Sequence, residues 1–382
     1  MTTPAGLGHI YPMVPLARAL ADRGHEVRWA VPAPAAPEVA QRGLVAMPIA
    51  GCGPISPRDV LQRYPEIGEL SAEDRPEALF GKLFGAMATP PMLEGLEGAL
   101  EGWRPDLVVS DAGEFAGHII AATLGVPSVT KGFGALLPEI RAARAGEEVA
   151  TLWAERGLEP RPYGGAYDTL YLDPYPPELQ VDAGAHVPHR QLLRPGSDDL
   201  AATADDAALP LPTARPDAPL VYVTMGTVFN DPDPLRRAIE GIRELPVRVV
   251  ATVGPAGDPS ALGEQPQHVR VERYVPQTAL LPRCDLVVSH AGSGTVLGAL
   301  AIGLPQVCLP QGADQFLNAR AVEASGAGLA VPPSDATAAA VGAAASDVLS
   351  RPEMRSAAER VAGSIRAMPA PAEVASILEA IG

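Results

Sequence analysis

Short apolar runs alternate with stretches of helical period along most of the chain, the pattern of parallel strands each covered by a helix. In the first half the predicted strands are Glu26–Val31, Leu44–Pro48, Asp106–Ser110 and Ser128–Thr130, and the predicted helices are Pro12–Arg23, Pro76–Trp103 and Phe115–Leu124. Gly24 closes the first helix as a C-terminal cap. A second series comes later, with strands Leu220–Thr224, Val247–Val253, His268–Tyr274, Leu286–Ser289 and Gln306–Leu309, each trailed by a helix-compatible segment. Between the two series, Arg194 to Pro219 loses periodicity and fills with Pro, Ala and acidic residues, including Asp198, Asp199, Asp205 and Asp206. The reading is α/β, two tandem doubly wound (Rossmann-like) domains at 1–204 and 219–365 joined by a linker at 205–218. The last helix, about Ala372 to Ile381 within 366–382, fits either domain by pattern and is assigned to the first. Ligands of such sheets bind beyond the carboxyl ends of the strands, so a cleft between facing edges is expected.

One element is short. Pro4–His9 leads into the first helix, and a strand of about five or six apolar residues belongs before it. Only Met1, Thr2 and Thr3 stand there, so the first strand is expected to be missing and the true start to lie upstream.

Composition narrows the partners. The 382 residues carry 29 Lys+Arg against 45 Asp+Glu, a net charge of −16. Such a surface repels nucleic-acid backbones and anionic lipid unless basic groups cluster, and none do. A hydrophobic fraction of 47% argues against disorder. Gly 38 and Pro 42 make up about a fifth of the chain, which predicts many loops and caps. Lys82 and Lys131 are the only lysines, so nearly all positive charge is Arg. Cys52, Cys284 and Cys308 are odd in number and lack C-x-x-C spacing, which points to buried small hydrophobes rather than disulfides or zinc ligands. The longest apolar stretch, Val296 to Leu309, is broken by Pro305 and Gln306 and is shorter than the roughly 20 residues of a membrane span. No basic segment followed by an apolar run opens the chain. A cytoplasmic protein is expected, with homodimerisation left open.

Three constellations carry candidate chemistry. Gly6-Leu7-Gly8-His9-Ile10-Tyr11-Pro12 is a Gly-rich loop opening a helix, with glycines suited to a tight turn and Pro12 to a first helical turn. A neutral imidazole at His9 can accept a proton from a hydroxyl near pH 7. The run Asp106 to Ser110 ends in Asp111, which would share that carboxyl edge and could hold the His9 ring in one tautomer. Asp111 equally fits a helix N-cap, with Glu114 three residues on as a capping box. The strongest signal is Cys284 to Thr295: a buried strand, then His290-Ala291-Gly292-Ser293-Gly294-Thr295 opening a helix. Free backbone N–H groups and the helix dipole there suit a diphosphate, with Ser293 and Thr295 hydroxyls as further donors. The turn is neither a Walker loop nor the G-x-G-x-x-G dinucleotide fingerprint. His290 could donate to a phosphate oxygen or be a strand-end His bonded to a backbone carbonyl. Two other loops end strands of the second domain, Thr224-Met225-Gly226-Thr227 and Pro310 to Gln315. In the latter, Asp314 beside Gln315 offers acceptors and donors to vicinal sugar hydroxyls, or Asp314 is another N-cap.

These residues resemble the family-one nucleotide-sugar glycosyltransferases of two-domain GT-B fold, most closely the actinobacterial enzymes of antibiotic pathways such as calicheamicin and the macrolides. The resemblance spans essentially the whole chain, from Gly8-His9-x-x-Pro12 to the closing helix. Its most specific part runs from Tyr274-Val275-Pro276-Gln277 through the His290–Thr295 turn to Asp314-Gln315-x-x-Asn318. It implies that His9 is a catalytic base and Asp111 its supporting carboxylate. It places the donor diphosphate at His290, Gly292, Gly294 and Thr295, with Thr227 nearby and Ser293 within the same turn, the nucleobase on Tyr274 and the Val275 backbone, and the sugar on Asp314 and Gln315; Gln277, in the same signature, is counted with the donor-binding residues. Many UDP-sugar enzymes of the family carry a ribose-binding Glu where this chain has Gly298, which favours a dTDP-deoxysugar as co-substrate, with no cofactor and no metal. Asp231-Pro232-Asp233, the sole Asp-x-Asp, reads as a helix cap. The acceptor pocket is expected from segments 51–75 and 132–167, where Phe133, Trp153 and Tyr163 offer apolar faces to a hydrophobic aglycone. A nucleotide-sugar epimerase and a non-catalytic auxiliary protein on the same fold are the competing readings.

Overall fold

The structure, a computed structural model, describes residues 1–70, 74–181, 184–196, 209, 211–226, 232–254 and 257–382. Two compact units result: Met1–Pro174, Asp182–Arg194 and Pro369–Gly382 form the first, and Tyr175–Val181 with Pro195–Met368 form the second. Of the stretch read as a linker, 205–208 and 210 lie outside the described residues, as do Asp231 and Thr227.

The first unit holds β1 (Arg28–Pro32), β2 (Val45–Ile49), β3 (Val108–Asp111), β4 (Ser128–Lys131), β5 (Leu170–Asp173) and β6 (Arg190–Leu192). β1 pairs with β2, and β3 to β6 run in sequence order, all parallel. The slot between β1 and β3 is filled by residues 1–3, with Thr2 bridged in parallel to both Ala30 and Ser110. Thr2 N–H donates to the Val109 carbonyl at 2.9 Å, and its carbonyl accepts from Asp111 N–H at 3.0 Å. The expected missing strand is therefore a stub: these few residues join the two halves of one sheet.

Strands buried on both faces explain the near-continuous apolar runs. Val109, Val129 and Leu172 face the helices Val14–Asp22 and Pro371–Glu379, while Tyr171 turns to the opposite layer with Phe115 and Ile119. Val374, Ala375 and Leu378 of the closing helix are buried in that first layer, which is what fastens it to this unit. The helix expected over Pro76–Trp103 runs from Arg75–Phe80 through a π-helical stretch, Gly81–Ala88, into Thr89–Ala99.

The second unit holds β7 (Leu220–Thr224), β8 (Arg248–Thr252), β9 (Val269–Glu272), β10 (Leu286–Ser289), β11 (Gln306–Cys308) and β12 (Gly328–Ala330). They form one parallel sheet of order β12-β11-β10-β7-β8-β9. Leu220 and Tyr222 pack on one face, and Val221 and Val223 on the other, so every residue of β7 is buried. Cys284 and Cys308 are buried free thiols, and Cys52 is a partly buried one. No helix among the described residues is long and apolar enough to cross a membrane.

Candidate active site

In a doubly wound sheet the strand order reverses between two neighbours, and the loops leaving their carboxyl ends part there to leave a crevice. In the first unit that point lies between the stub at 1–3 and β3, in the second between β7 and β10. Each carries one of the two sequence motifs.

In the first unit the chain leaves the stub through Pro4 and Gly6 and enters the short helix Leu7–Ile10, so His9 lies over the end of β3. His9 Nδ1 is 2.8 Å from Asp111 Oδ1. The imidazole is 18% exposed and the carboxylate fully buried. With Nδ1–H donated to Asp111, the ring's basic lone pair is on Nε2. Neither Gly6 nor Gly8 has the positive φ expected of a tight turn; Gly6 is extended at φ −72°, and a Cβ there would lie 3.1 Å from His9 Cδ2. Room for the imidazole, rather than backbone curvature, is what Gly6 supplies.

Asp111 does not cap a helix. Its Oδ1 also accepts from Gly113 N–H at 2.8 Å, and Oδ2 is buried with no partner among the described residues. Glu114 takes the capping role, accepting from Ala116 and Gly117 N–H at 2.7 and 2.9 Å at the start of helix Ala116–Leu124. Burial pushes the Glu114 carboxyl above its usual range, against the pull of those hydrogen bonds.

Two aromatic rings flank His9 edge to face, Phe133 at 4.8 Å and Phe84 at 5.4 Å between centroids. Phe133, expected to offer an apolar face to the acceptor, thus lies beside His9. Trp153 is not: it is 2% exposed and belongs to the core, which corrects its assignment to the acceptor surface. The length of helix Glu139–Ala154 puts Trp153 on its inward stripe. Tyr163 has its hydroxyl on Glu139 at 2.7 Å and its ring beside Tyr167 and His186. Phe84 escaped the sequence reading because it lies outside both expected acceptor segments, in the π-helical stretch. The spacing Gly81-x-x-x-Gly85 was its available signal. A Cβ at Gly85 would come within 2.8 Å of Glu148 Cβ, and one at Gly113 within 3.1 Å of Phe84 Cε1, so these glycines let the ring approach the dyad.

In the second unit, β10 runs into His290, then Ala291 with φ +64°, then helix Ser293–Ala301 with Gly292 as its N-cap. The left-handed residue of this turn is Ala291 and not a glycine. The glycines serve the imidazole: Cβ atoms at Gly292 and at Gly226 would lie 2.5 and 2.6 Å from His290 ring atoms. Gly226 also has φ +77°, after the end of β7. His290 Nδ1 is buried without a partner among the described residues, while a hydrogen bond to the Thr224 backbone favours the protonated ring, as the alternative reading of a carbonyl-bonded strand-end His expects. Burial lowers its pKa to about 4, with the Asp314 carboxylate pulling the other way. No side chain caps the helix, and its first intrahelical bond is Val296 N–H to Gly292 O at 3.0 Å. The N–H groups of Ser293, Gly294 and Thr295 therefore sit at an open positive helix end.

The hydroxyls are less available than the sequence implied. Ser293 Oγ donates to Asp314 Oδ2 at 2.6 Å, and Thr295 Oγ1 accepts from Gln277 Nε2 at 3.3 Å. Ser293 is thus an anchor for Asp314 rather than an added phosphate donor. Asp314 precedes helix Gln315–Ala324 but makes no cap bond. Asn318 Nδ2 reaches Asp314 Oδ2, Ser293 Oγ and the Ala291 carbonyl at 2.9, 3.0 and 2.9 Å, and its Oδ1 accepts from Tyr175 OH at 2.6 Å. Gln315 Oε1 accepts from Gln311 and Gly312 N–H at 2.7 and 3.1 Å, which shapes its own loop. Tyr274 is 47% exposed and Val275 is buried. Tyr175, which the second unit takes from the first half of the chain, had no sequence signal of its role.

The fold and both motifs define a nucleotide-sugar glycosyltransferase, and comparison with known proteins gives its family. The profile described as "Erythromycin biosynthesis protein CIII-like, N-terminal domain" matches residues 18–271, and the corresponding C-terminal domain matches 236–381. The chain belongs to this EryCIII-like glycosyltransferase family. It is 35% identical to the elloramycin glycosyltransferase ElmGT of Streptomyces olivaceus, over 99% of this chain and 95% of that protein. It is 32% identical to the L-demethylnoviosyl transferase of Streptomyces niveus, over 100% and 97%. Among solved structures, spinosyn rhamnosyltransferase SpnG superposes with a TM-score of 0.82 at 28% identity, covering 99% of both chains. The GT-B architecture and the glycosyltransferase class that the resemblance implied are both borne out.

Proposed function

We propose that this glycosyltransferase moves a deoxyhexose from a dTDP-linked donor to a hydroxyl of a hydrophobic natural-product aglycone, with inversion at the anomeric carbon. The observation that carries the reading is the 2.8 Å bond from His9 to a fully buried Asp111. His9 Nε2 takes the acceptor hydroxyl proton as that oxygen attacks the anomeric carbon. The bond from that carbon to the diphosphate breaks, and the leaving oxygen keeps the electron pair. Asp111 fixes the tautomer and stabilises the imidazolium as it forms. The leaving diphosphate is held by the open end of helix Ser293–Ala301, with the Gly292 and Gly294 backbone and His290 beside it. The Tyr274 face stacks the base, and Asp314 with Gln315 holds sugar hydroxyls. Neutral donors carry this scheme without a metal or cofactor.

Thymidine rests on two supports. SpnG and the Streptomyces glycosyltransferase SsfS6, at 27% and 26% identity, were each solved with thymidine diphosphate. At Gly298 an added Cβ would meet only Leu281 Cδ1 at 3.5 Å, ordinary contact, so packing does not forbid a side chain there. Position 298 itself offers no carboxylate to a ribose 2′-hydroxyl, and a site without that partner discriminates little in its favour. Measuring kcat/KM for the dTDP- and UDP-linked forms of one sugar tests this. A dTDP preference is expected, and a clear UDP preference overturns it.

A further inference from the structure

Lys131 ends β4 with 2% exposure, and its register partner on the neighbouring parallel strand is Asp111. Register partners in a parallel pair project to the same face, so a buried ammonium and the buried carboxylate of the dyad stand side by side at one carboxyl edge. Burying an ammonium is unfavourable and an apolar residue would avoid it, so the groups around it have to account for it. Those groups are Asp111 and His9 at the end of β3 and above it, Asp173 at the end of β5, Arg190 on β6, and Glu114 in the turn after β3. Asp173 already has Arg190 at 3.6 Å. Asp111 has an oxygen, Oδ2, that is buried with no hydrogen-bond partner among the described residues. Lys131 is thus the cation beside a carboxylate whose hydrogen bonds leave it incompletely compensated.

We propose that Lys131 is a positioning residue of the dyad: its ammonium, held beside Asp111 by the β3–β4 register, keeps the His9–Asp111 pair from taking up an extra proton at neutral pH. The inference rests on reading His9 as the base. Removing a positive charge favours every protonated form nearby, so the pair's apparent pKa values rise when it is lost. Burial lowers the Lys131 pKa to about 8, with Asp111 and Asp173 opposing, so the charge is present at pH 7.

The direct test is an NMR titration of carbon-13-labelled histidine, with His9→Ala assigning the resonance among the 7 histidines. Lys131→Met, and Lys131→Gln if the first is unstable, should raise the apparent pKa of His9 by about one unit, while Lys131→Arg leaves it near wild type. The acid limb of kcat/KM should move with it, giving a roughly tenfold deficit near pH 6 that disappears near pH 9. An unmoved His9 titration, or a loss uniform across pH, overturns the proposal. A shifted titration in a protein whose His9→Ala variant keeps its turnover upholds the electrostatics and removes the base assignment instead.

Discussion

The carboxyl ends flanking the first unit's switch point carry buried ionisable groups, Asp111 with Lys131 across the ladder and His9 above. The matching ends in the second unit, β7 and β10, finish in Thr224 and Ser289, and the turns beyond them offer glycine, backbone N–H and a ring held largely neutral by burial. Asp314, the carboxylate nearby, is engaged by Ser293 and Asn318. On the proposed function, one topology presents a proton-transfer edge in one unit and, among the described residues, an anion-holding edge without a formal cation in the other. A base needs a charge environment that sets its proton affinity. A leaving group needs fixed dipoles that require no reorganisation. On the same proposal, a chain of net charge −16 can suit a diphosphate because the proposed donors are neutral.

Breaking the first edge should cost most. Asp111→Asn keeps the volume but loses the charge that holds the Nδ1–H tautomer, and turnover should fall by about 10²–10⁴-fold with the donor dissociation constant unchanged. Weaker donor binding in that variant would blur the division.

Breaking the second edge should cost less and appear elsewhere. Gly226→Ala adds a side chain at φ +77° and a Cβ 2.6 Å from the His290 ring. Left-handed strain of about 1–3 kcal/mol and a displaced imidazole predict roughly tenfold weaker donor binding by calorimetry, with the His9 titration unmoved.

The smallest effect is on stability. His118, between Ser128 and Thr130, has its pKa lowered to about 4 from 6.5 by burial. The unfolded chain therefore takes up its proton first, so this contribution is complete above pH 6.5 and is lost as pH falls toward 4. Between pH 7 and 5 the loss is about 2 kcal/mol. Glu114, raised by burial, works the other way. Melting curves of wild type and His118→Gln should converge as pH falls from 7 to 5; parallel curves would contradict the assignment.

Much of this comparison was legible in the sequence, and the gaps have physical causes. β7 and β10 were read to the residue because five and four successive buried positions leave no helical alternative of that length. β5, β6 and β12 were missed: Leu-Tyr-Leu-Asp, Arg-Gln-Leu and Gly-Leu-Ala are too short or too polar to stand out, and tertiary pairing makes them strands. Asp111 could be found because it ends a strand whose direction the pattern set, and His9 because it follows a Gly-rich loop that opens a helix. Phe84, Tyr175 and Lys131 could not, since their roles come from a widened helix, a segment lent to the other unit and a strand register. Trp153 was misplaced because aromatic character alone does not separate a core face from a ligand face.

The most direct test of the division between the two edges is a single variant, His9→Ala, read two ways. The account predicts that glycosyl transfer falls by about 10²–10⁴-fold while the calorimetric dissociation constant of the nucleotide-sugar donor stays at its wild-type value. Wild-type turnover in His9→Ala would contradict it.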